Sequence, residues 1–173
     1  MFLNQIENDG TLKTRVKFIV DGMHGTLARK LRIYGFDTIF DPKADDEALL
    51  EVGREEGRAL ITSDRGLHRA ALKNEIKSIL LTGETDEDRM TTLFRRLKMT
   101  VSTLNPEISR CPMCNGMLKP IERPSLRGRI PEGVLQRKDE FYICPSCGKV
   151  YWEGSHWRRI RAFAKRVERR LQV

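Results

Sequence analysis

The feature that most constrains this chain is a pair of short turns. All four of its cysteines fall into two Cys-x-x-Cys spacings, Cys111-Pro112-Met113-Cys114 and Cys144-Pro145-Ser146-Cys147. Two intervening residues let both thiolates approach one ion from a single tight turn, and two such turns complete a tetrahedral zinc site. Asn115 and Gly148, which follow the turns, are types that tolerate a left-handed backbone. The spacing predicts strands over 140–143 and 149–152, forming a hairpin around the second turn as in a zinc ribbon. Disulfides and a redox-active pair are the alternatives. Residues 1–14 lack the basic and apolar regions of a secretory signal, which disfavours disulfides, and a redox pair needs only one of the two turns. Four thiolates leave no open position, so an ion held this way supports the fold and does no chemistry.

Charge divides the chain at the same place. Residues 1–110 carry 18 basic and 18 acidic side chains, whereas residues 111–173 carry 14 and 6, so the whole excess of +8 belongs to the last third. A basic module joined to a neutral one is the footprint of nucleic-acid binding, because neutralised phosphates release counterions; a merely solvated basic surface is the plainer alternative. Between Cys114 and Cys144 lie 29 residues, more than a compact ribbon needs, and 121–138 carries Arg123, Arg127, Arg129, Arg137 and Lys138. That stretch reads either as a loop touching nucleic acid or as a mobile insertion. Beyond it, Trp157, Ile160, Phe163, Ala164, Val167 and Leu171 form a helical apolar stripe opposite a basic face that includes Arg158 and Arg159. No apolar run approaches the roughly 18 residues of a membrane span. The expectation is a cytoplasmic protein with no membrane partner.

Residues 15–104 alternate short apolar runs with helical patterns. Strands are predicted over 16–20, 36–40, 58–62 and 76–81, and helices from Met23, Asp46, Arg65 and Asp86, with Thr85 as an N-cap and Gly35 as a C-cap. Such alternation argues for an α/β domain whose mainly parallel sheet is flanked by helices. The organisation expected is a flexible tail over 1–14, this domain over 15–104, a zinc ribbon over 105–156 and a basic amphipathic helix over 157–173.

Two strands end in the same way. Val16–Val20 leads into Asp21, and the run over 58–62 leads through Ser63 into Asp64. In open α/β sheets the carboxyl edge is where ligands bind, and carboxylate oxygens suit Mg²⁺ or Mn²⁺. Asp45 and Asp46, at a predicted helix start, join them as candidates. Each has a structural alternative, since aspartate also caps helices and initiates turns. His24 and His68 lie near these positions in sequence and read as structural or solvated.

Thr62-Ser63-Asp64-Arg65-Gly66-Leu67 resembles the Thr-x-Asp-x-x-Leu/Phe signature of PIN-like nucleases, and Val20-Asp21-Gly22-Met23 resembles their first strand and acidic residue. Over residues 16–158 the chain is similar to one family in particular, the PIN-like ribonuclease domain with a carboxy-terminal zinc ribbon named after the carboxyl end of the Mut-seven exonuclease. The likeness extends through 45–50, Arg110–Asn115, and Asp139-Glu140-Phe141-Tyr142 to Gly154-Ser155-His156-Trp157. The resemblance implies a metal-dependent ribonuclease with catalytic Mg or Mn on Asp21, Asp46 and Asp64, structural zinc on the cysteines, and RNA as partner. The resemblance also prefers Asp46 to Asp45, because Asp46 stands three residues before Leu49 at the helix start, as the acidic residue does in related PIN-like domains. A ribonucleoprotein or a protein inhibitor is a further conceivable partner. Arg65, Arg29 and Lys30 are candidates to contact phosphates, with Arg158 and Arg159 on the terminal helix. One departure stands out: the fourth acidic residue common shortly after the Thr-x-Asp motif is absent, leaving Glu84, Asp86 or Asp88 as stand-ins. A non-catalytic RNA-binding adaptor is therefore the alternative function.

Overall fold

The computed structural model describes residues 16–99 and 104–172, so the tail expected over 1–14 lies outside the described residues. Its first half is a four-stranded, wholly parallel sheet in the order β2-β1-β3-β4, made of β1 (Lys17–Val20), β2 (Asp37–Phe40), β3 (Ala59–Thr62) and β4 (Ser78–Leu80). Each strand is followed by a helix: α1 (Gly25–Ile33), preceded by a 3₁₀ turn over Gly22–His24, then α2 (Asp46–Glu55), α3 (Arg65–Lys73) and α4 (Asp86–Arg96). β1 and β3 are central, and their side chains are buried on both faces, as a continuous apolar run requires.

The strand faces divide the core in two. Phe18, Val20 and Ile61 pack with Leu27 and Leu31 of α1 and Met90, Leu93 and Phe94 of α4. Ile19 and Leu60, one residue out of phase, pack with Leu49 of α2 and Leu67 and Ala71 of α3. Helix α1 stops at Gly35, whose φ of +96° suits glycine; a Cβ there would come within 2.8 Å of the Ile108 carbonyl oxygen. Thr85 caps α4 in a reciprocal capping box with Asp88.

The second half is a three-stranded antiparallel sheet in the order β5-β6-β7, from Lys119–Pro120, Phe141–Ile143 and Val150–Trp152. The stretch over 121–138 is not an open loop. It contains a 3₁₀ turn over Arg123–Leu126 and the short helix α5 (Glu132–Leu135), and it buries Leu126 and Leu135 against Phe141. The many arginines masked its apolar positions, which are few because the module they cover is small.

The terminal helix α6 (Ser155–Leu171) places Phe163 and Val167 in the core beside α1 and α4. Its basic face does not all point into solvent. Arg166 pairs with Glu87 at 2.7 Å and Arg170 pairs with Asp88, so part of that charge neutralises the acidic first turn of α4. Among the described residues, no helix is long and apolar enough to cross a membrane.

Candidate active site and metal centre

The order β2-β1-β3-β4 means that the chain leaves β1 toward one side and resumes at β3 on the other. The carboxyl ends of β1 and β3 therefore flank a switch point, where the diverging connections leave a crevice. Val20 pairs with Ile61, and the Asp21 N–H donates to the Ile61 carbonyl at 3.0 Å. The Thr62 hydroxyl then ties the two acidic segments together. It donates to Asp21 Oδ2 at 2.7 Å and accepts from the Asp64 N–H at 2.9 Å.

Asp21, Asp45 and Asp64 are all N-caps. Asp21 Oδ1 accepts weakly from the Met23 N–H at 3.4 Å, Asp45 Oδ1 from Ala48 at 2.9 Å, and Asp64 Oδ1 from Leu67 at 2.9 Å. Capping and ligand-binding readings are compatible here, because each cap uses one carboxylate oxygen, and Asp21 Oδ2, which accepts from Thr62, retains a second lone pair. Asp46 lies in the exposed first turn of α2 and caps nothing. Gly22 keeps the turn away from β1 uncrowded, since a Cβ there would stand a tight 3.3 Å from the Pro42 carbonyl oxygen of the segment leading to α2. Four helical N-termini thus follow the four strands at one edge of the sheet, an arrangement favourable to anions.

The carboxylates do not gather as the cysteines do. Among the described residues, the four cysteines are the one group of three or more potential ligands found close together. Of the candidates to replace the missing fourth acid, Asp86 pairs with Lys30 and with Arg89 at 3.4 Å, and Asp88 is held by Thr85 and Arg170. Asp86 nonetheless stands near His24. The His24 side chain is buried, and neither ring nitrogen has a hydrogen-bond partner among the described residues. Burial, reinforced by Arg89, lowers its pKa against the opposing pull of Asp21 and Asp86. His68 is different: its Nδ1 meets Ser78 Oγ at 2.8 Å, a structural contact.

The predicted phosphate-binding side chains are dispersed. Arg65 opens α3 at the acidic edge and is exposed. Arg29 is exposed on α1, whereas Lys30 is occupied by Asp86 and lies 4.5 Å from the Phe163 ring centroid. Arg158 and Arg159 are exposed near the start of α6.

The four cysteine sulfurs all lie within 4.8 Å of one another. Cys111 and Cys147 are 3.6 Å apart and Cys114 and Cys144 are 3.3 Å apart, close to the roughly 3.8 Å between ligands of a tetrahedral ion with 2.3 Å bonds. The first turn ends at Asn115 with φ +68° and the second at Gly148 with φ +71°. Burial would raise the Cys111 thiol, but a 3.0 Å contact with the Tyr151 hydroxyl and knuckle N–H groups brings its pKa down to about 7. The cluster can hold a metal such as zinc, and neither His24 nor His156 belongs to it.

What the sequence reading missed is how the first knuckle attaches to the parallel sheet. Arg32 of α1 is buried although an arginine ordinarily faces solvent. Its guanidinium donates to the carbonyls of Thr38 at 2.9 Å, Pro112 at 2.9 Å and Met113 at 3.1 Å. Asn115 completes the clamp, accepting from the Thr38 N–H at 3.0 Å and donating to Asp37 at 2.8 Å. Asp37 also accepts from Arg58 at 2.8 Å; burial would raise its pKa, yet Arg58, Asn115 and nearby Arg110 leave it below the usual range. A signal existed: Arg32 is four residues beyond Ala28, on the edge of the apolar stripe.

No curated protein and no solved structure gives a significant match to the chain. The family model that does match is described as the Mut7-C RNAse domain, and it spans residues 16–164, from the first strand through the cysteine module into the terminal helix. A parallel sheet with an acidic switch point, joined to a four-cysteine module, is thus the architecture of a chain that belongs to the Mut7-C RNAse domain family.

Proposed function

We propose that this chain is a metal-dependent ribonuclease that hydrolyses RNA phosphodiester bonds at the carboxyl edge of its parallel sheet. The observation that carries the reading is the Thr62 hydroxyl bridging Asp21 and Asp64 at the switch point between β1 and β3. The residues suit a hard divalent ion. Asp21, Asp46 and Asp64 offer oxygen donors, Asp46 caps no helix, and an open arrangement leaves room for the waters that Mg²⁺ retains. When bound there, Mg²⁺ or Mn²⁺ supplies activation of water and stabilisation of charge on the phosphate oxygens during in-line displacement.

The chain's own residues position the substrate. Thr62 fixes the Asp21 carboxylate and the backbone of Asp64, so neither must reorganise as charge develops. Arg65, adjacent to Asp64 and exposed, is placed to contact the phosphate, and the helical N-termini along the edge favour its negative charge. The cysteine module holds structural zinc, and Arg158 and Arg159 extend the RNA contact along α6. Products then carry a 5′-phosphate and a 3′-hydroxyl.

One observation favours the adaptor reading: Asp86 and Asp88 are committed to cationic partners, which leaves the exposed Glu84 alone of the three stand-ins to replace the missing fourth acid. Cleavage of end-labelled RNA by zinc-loaded protein separates the two readings. Expected are fragments with Mn²⁺ that vanish on brief chelation and in Asp21→Asn. Equal fragments from both proteins would overturn the proposed site, and RNA that is bound yet left intact in the presence of Mn²⁺ would establish the adaptor.

A further inference from the structure

A second site lies away from the acidic edge. α1, the segment 106–113, the β6–β7 hairpin and the start of α6 enclose a cleft of about 500 Å³. That size lies within the range of small-molecule sites. Its walls are mainly apolar and unusually aromatic, with Tyr142 and Tyr151 from the hairpin, Trp152 at its end and Trp157 from α6. Such a surface between folded elements is costly to leave wet. Two donors on the lining residues, Trp157 Nε1 and Arg110 Nε, are buried without hydrogen-bond partners among the described residues.

Charge selects the occupant. Arg29 and Lys149 stand at this cleft, exposed and without ion-pair partners among the described residues. The acidic residue of the lining, Glu153, is neutralised by Arg161. Aromatic faces with cations beside them suit a planar base attached to a phosphate, whereas a neutral apolar ligand would not need the cations. Position agrees with this. Thr26 and Ile33 both line the cleft, so it follows α1 for about 10 Å from the helix end nearest Asp21 toward the cysteine module.

We infer that this cleft binds an unstacked base of single-stranded RNA, holding a strand whose backbone continues along α1 to the acidic edge. The choice of RNA rests on the ribonuclease reading, but the binding requires no chemistry. The site excludes duplex RNA, whose bases are stacked and paired and cannot enter between the aromatic rings.

Trp152 and Trp157 are the only tryptophans in the chain and both line the cleft, so intrinsic fluorescence reports on it directly. The zinc-loaded Asp21→Asn protein is titrated, without Mg²⁺ or Mn²⁺, with a short single-stranded RNA and with a blunt duplex of the same sequence. Fluorescence anisotropy of the labelled RNA measures binding independently. Expected is quenching of tryptophan emission by the single strand, with the duplex at least tenfold weaker. Tyr142→Ala and the exposed Arg29→Glu should each weaken the single strand at least fivefold at unchanged circular dichroism. If Tyr142→Ala does not fold, Arg29→Glu and the duplex comparison decide. A single strand that binds by anisotropy with emission unchanged overturns the inference, as does equal binding of the duplex. A lack of response to any strand overturns it too, and points to a protein occupant. Quenching without cleavage by the unsubstituted protein in Mn²⁺ removes the nuclease reading and leaves the cleft; cleavage without quenching does the reverse.

Discussion

The acidic edge and the cysteine cluster are both candidate metal centres, yet they are built in opposite ways. Four sulfurs come from two local turns and lie within 4.8 Å of one another before any ion is considered. The carboxylates come from three separate connections and stay apart, each capping a helix or facing solvent. On the reading proposed above, the difference matches what each centre would do. A structural ion must hold the chain closed, so its ligands converge on one another. A catalytic ion must admit water and substrate, so its ligands are anchored individually and leave a gap.

The largest effect expected from this contrast concerns metal removal. Stripping the metal proposed for the cysteine cluster, or substituting Cys144→Ser, should unfold the β5–β7 module, because metal binding and folding are one equilibrium in so small a unit. A drop in Tm of more than about 10 °C is expected by calorimetry, from a loss of several kcal/mol. Withholding Mg²⁺ and Mn²⁺ should shift Tm by less than about 2 °C, as weak binding to a folded site stabilises little. Equal shifts would abolish the distinction.

Activity should invert that ranking. Asp21→Asn keeps an oxygen that accepts from Thr62 but removes the charge, so cleavage should fall about 10²- to 10³-fold with Tm nearly unchanged. Measured kcat/KM alongside a melting curve checks this, and a parallel loss of stability would assign Asp21 to capping alone.

The clamp between the two regions should give an intermediate effect. Arg32→Ala leaves three carbonyls without their shared donor, and should cost about 2–4 kcal/mol in denaturant unfolding. A value near zero would mean that the knuckle and the sheet are energetically separate.

A smaller effect distinguishes the acidic edge by pH. His24 is buried and its pKa is lowered by desolvation and Arg89, with Asp21 and Asp86 opposing. The unfolded chain therefore binds a proton that the folded chain resists, so stability should be full above about pH 6.5 and decline as pH falls toward the lowered folded value. Melting between pH 7.5 and 5.5 should show this decline, shallower in His24→Leu. The smallest effect is near the start of α6, where Arg158→Ala and Arg159→Ala should each reduce the salt dependence of RNA affinity by about one unit of slope.

Much of this was legible locally. The alternation of strands and helices, the caps at Asp64 and Thr85, the stripe of α6 and the two knuckles are each set by residues within one or two turns of each other. Other features were illegible because their partners are distant. Two of the three carbonyls that satisfy the buried Arg32 belong to Pro112 and Met113, about 80 positions away. Arg166 and Arg170 read as a free basic face until α4 presents Glu87 and Asp88 to them. The apolar content of 121–138 was hidden among arginines until Phe141 gave Leu126 and Leu135 a surface to cover.

The amino-acid sequence by itself determined which residues end strands, which turns can gather thiolates and which helix faces are apolar, because periodicity and short-range stereochemistry act within a single element. Only the tertiary structure decided that β1 and β3 are neighbours, that Thr62 links Asp21 to Asp64, and that α1, the ribbon and α6 leave an aromatic cleft between them. Those are relations between elements, set by which buried surfaces and polar groups find partners once the chain has closed on itself.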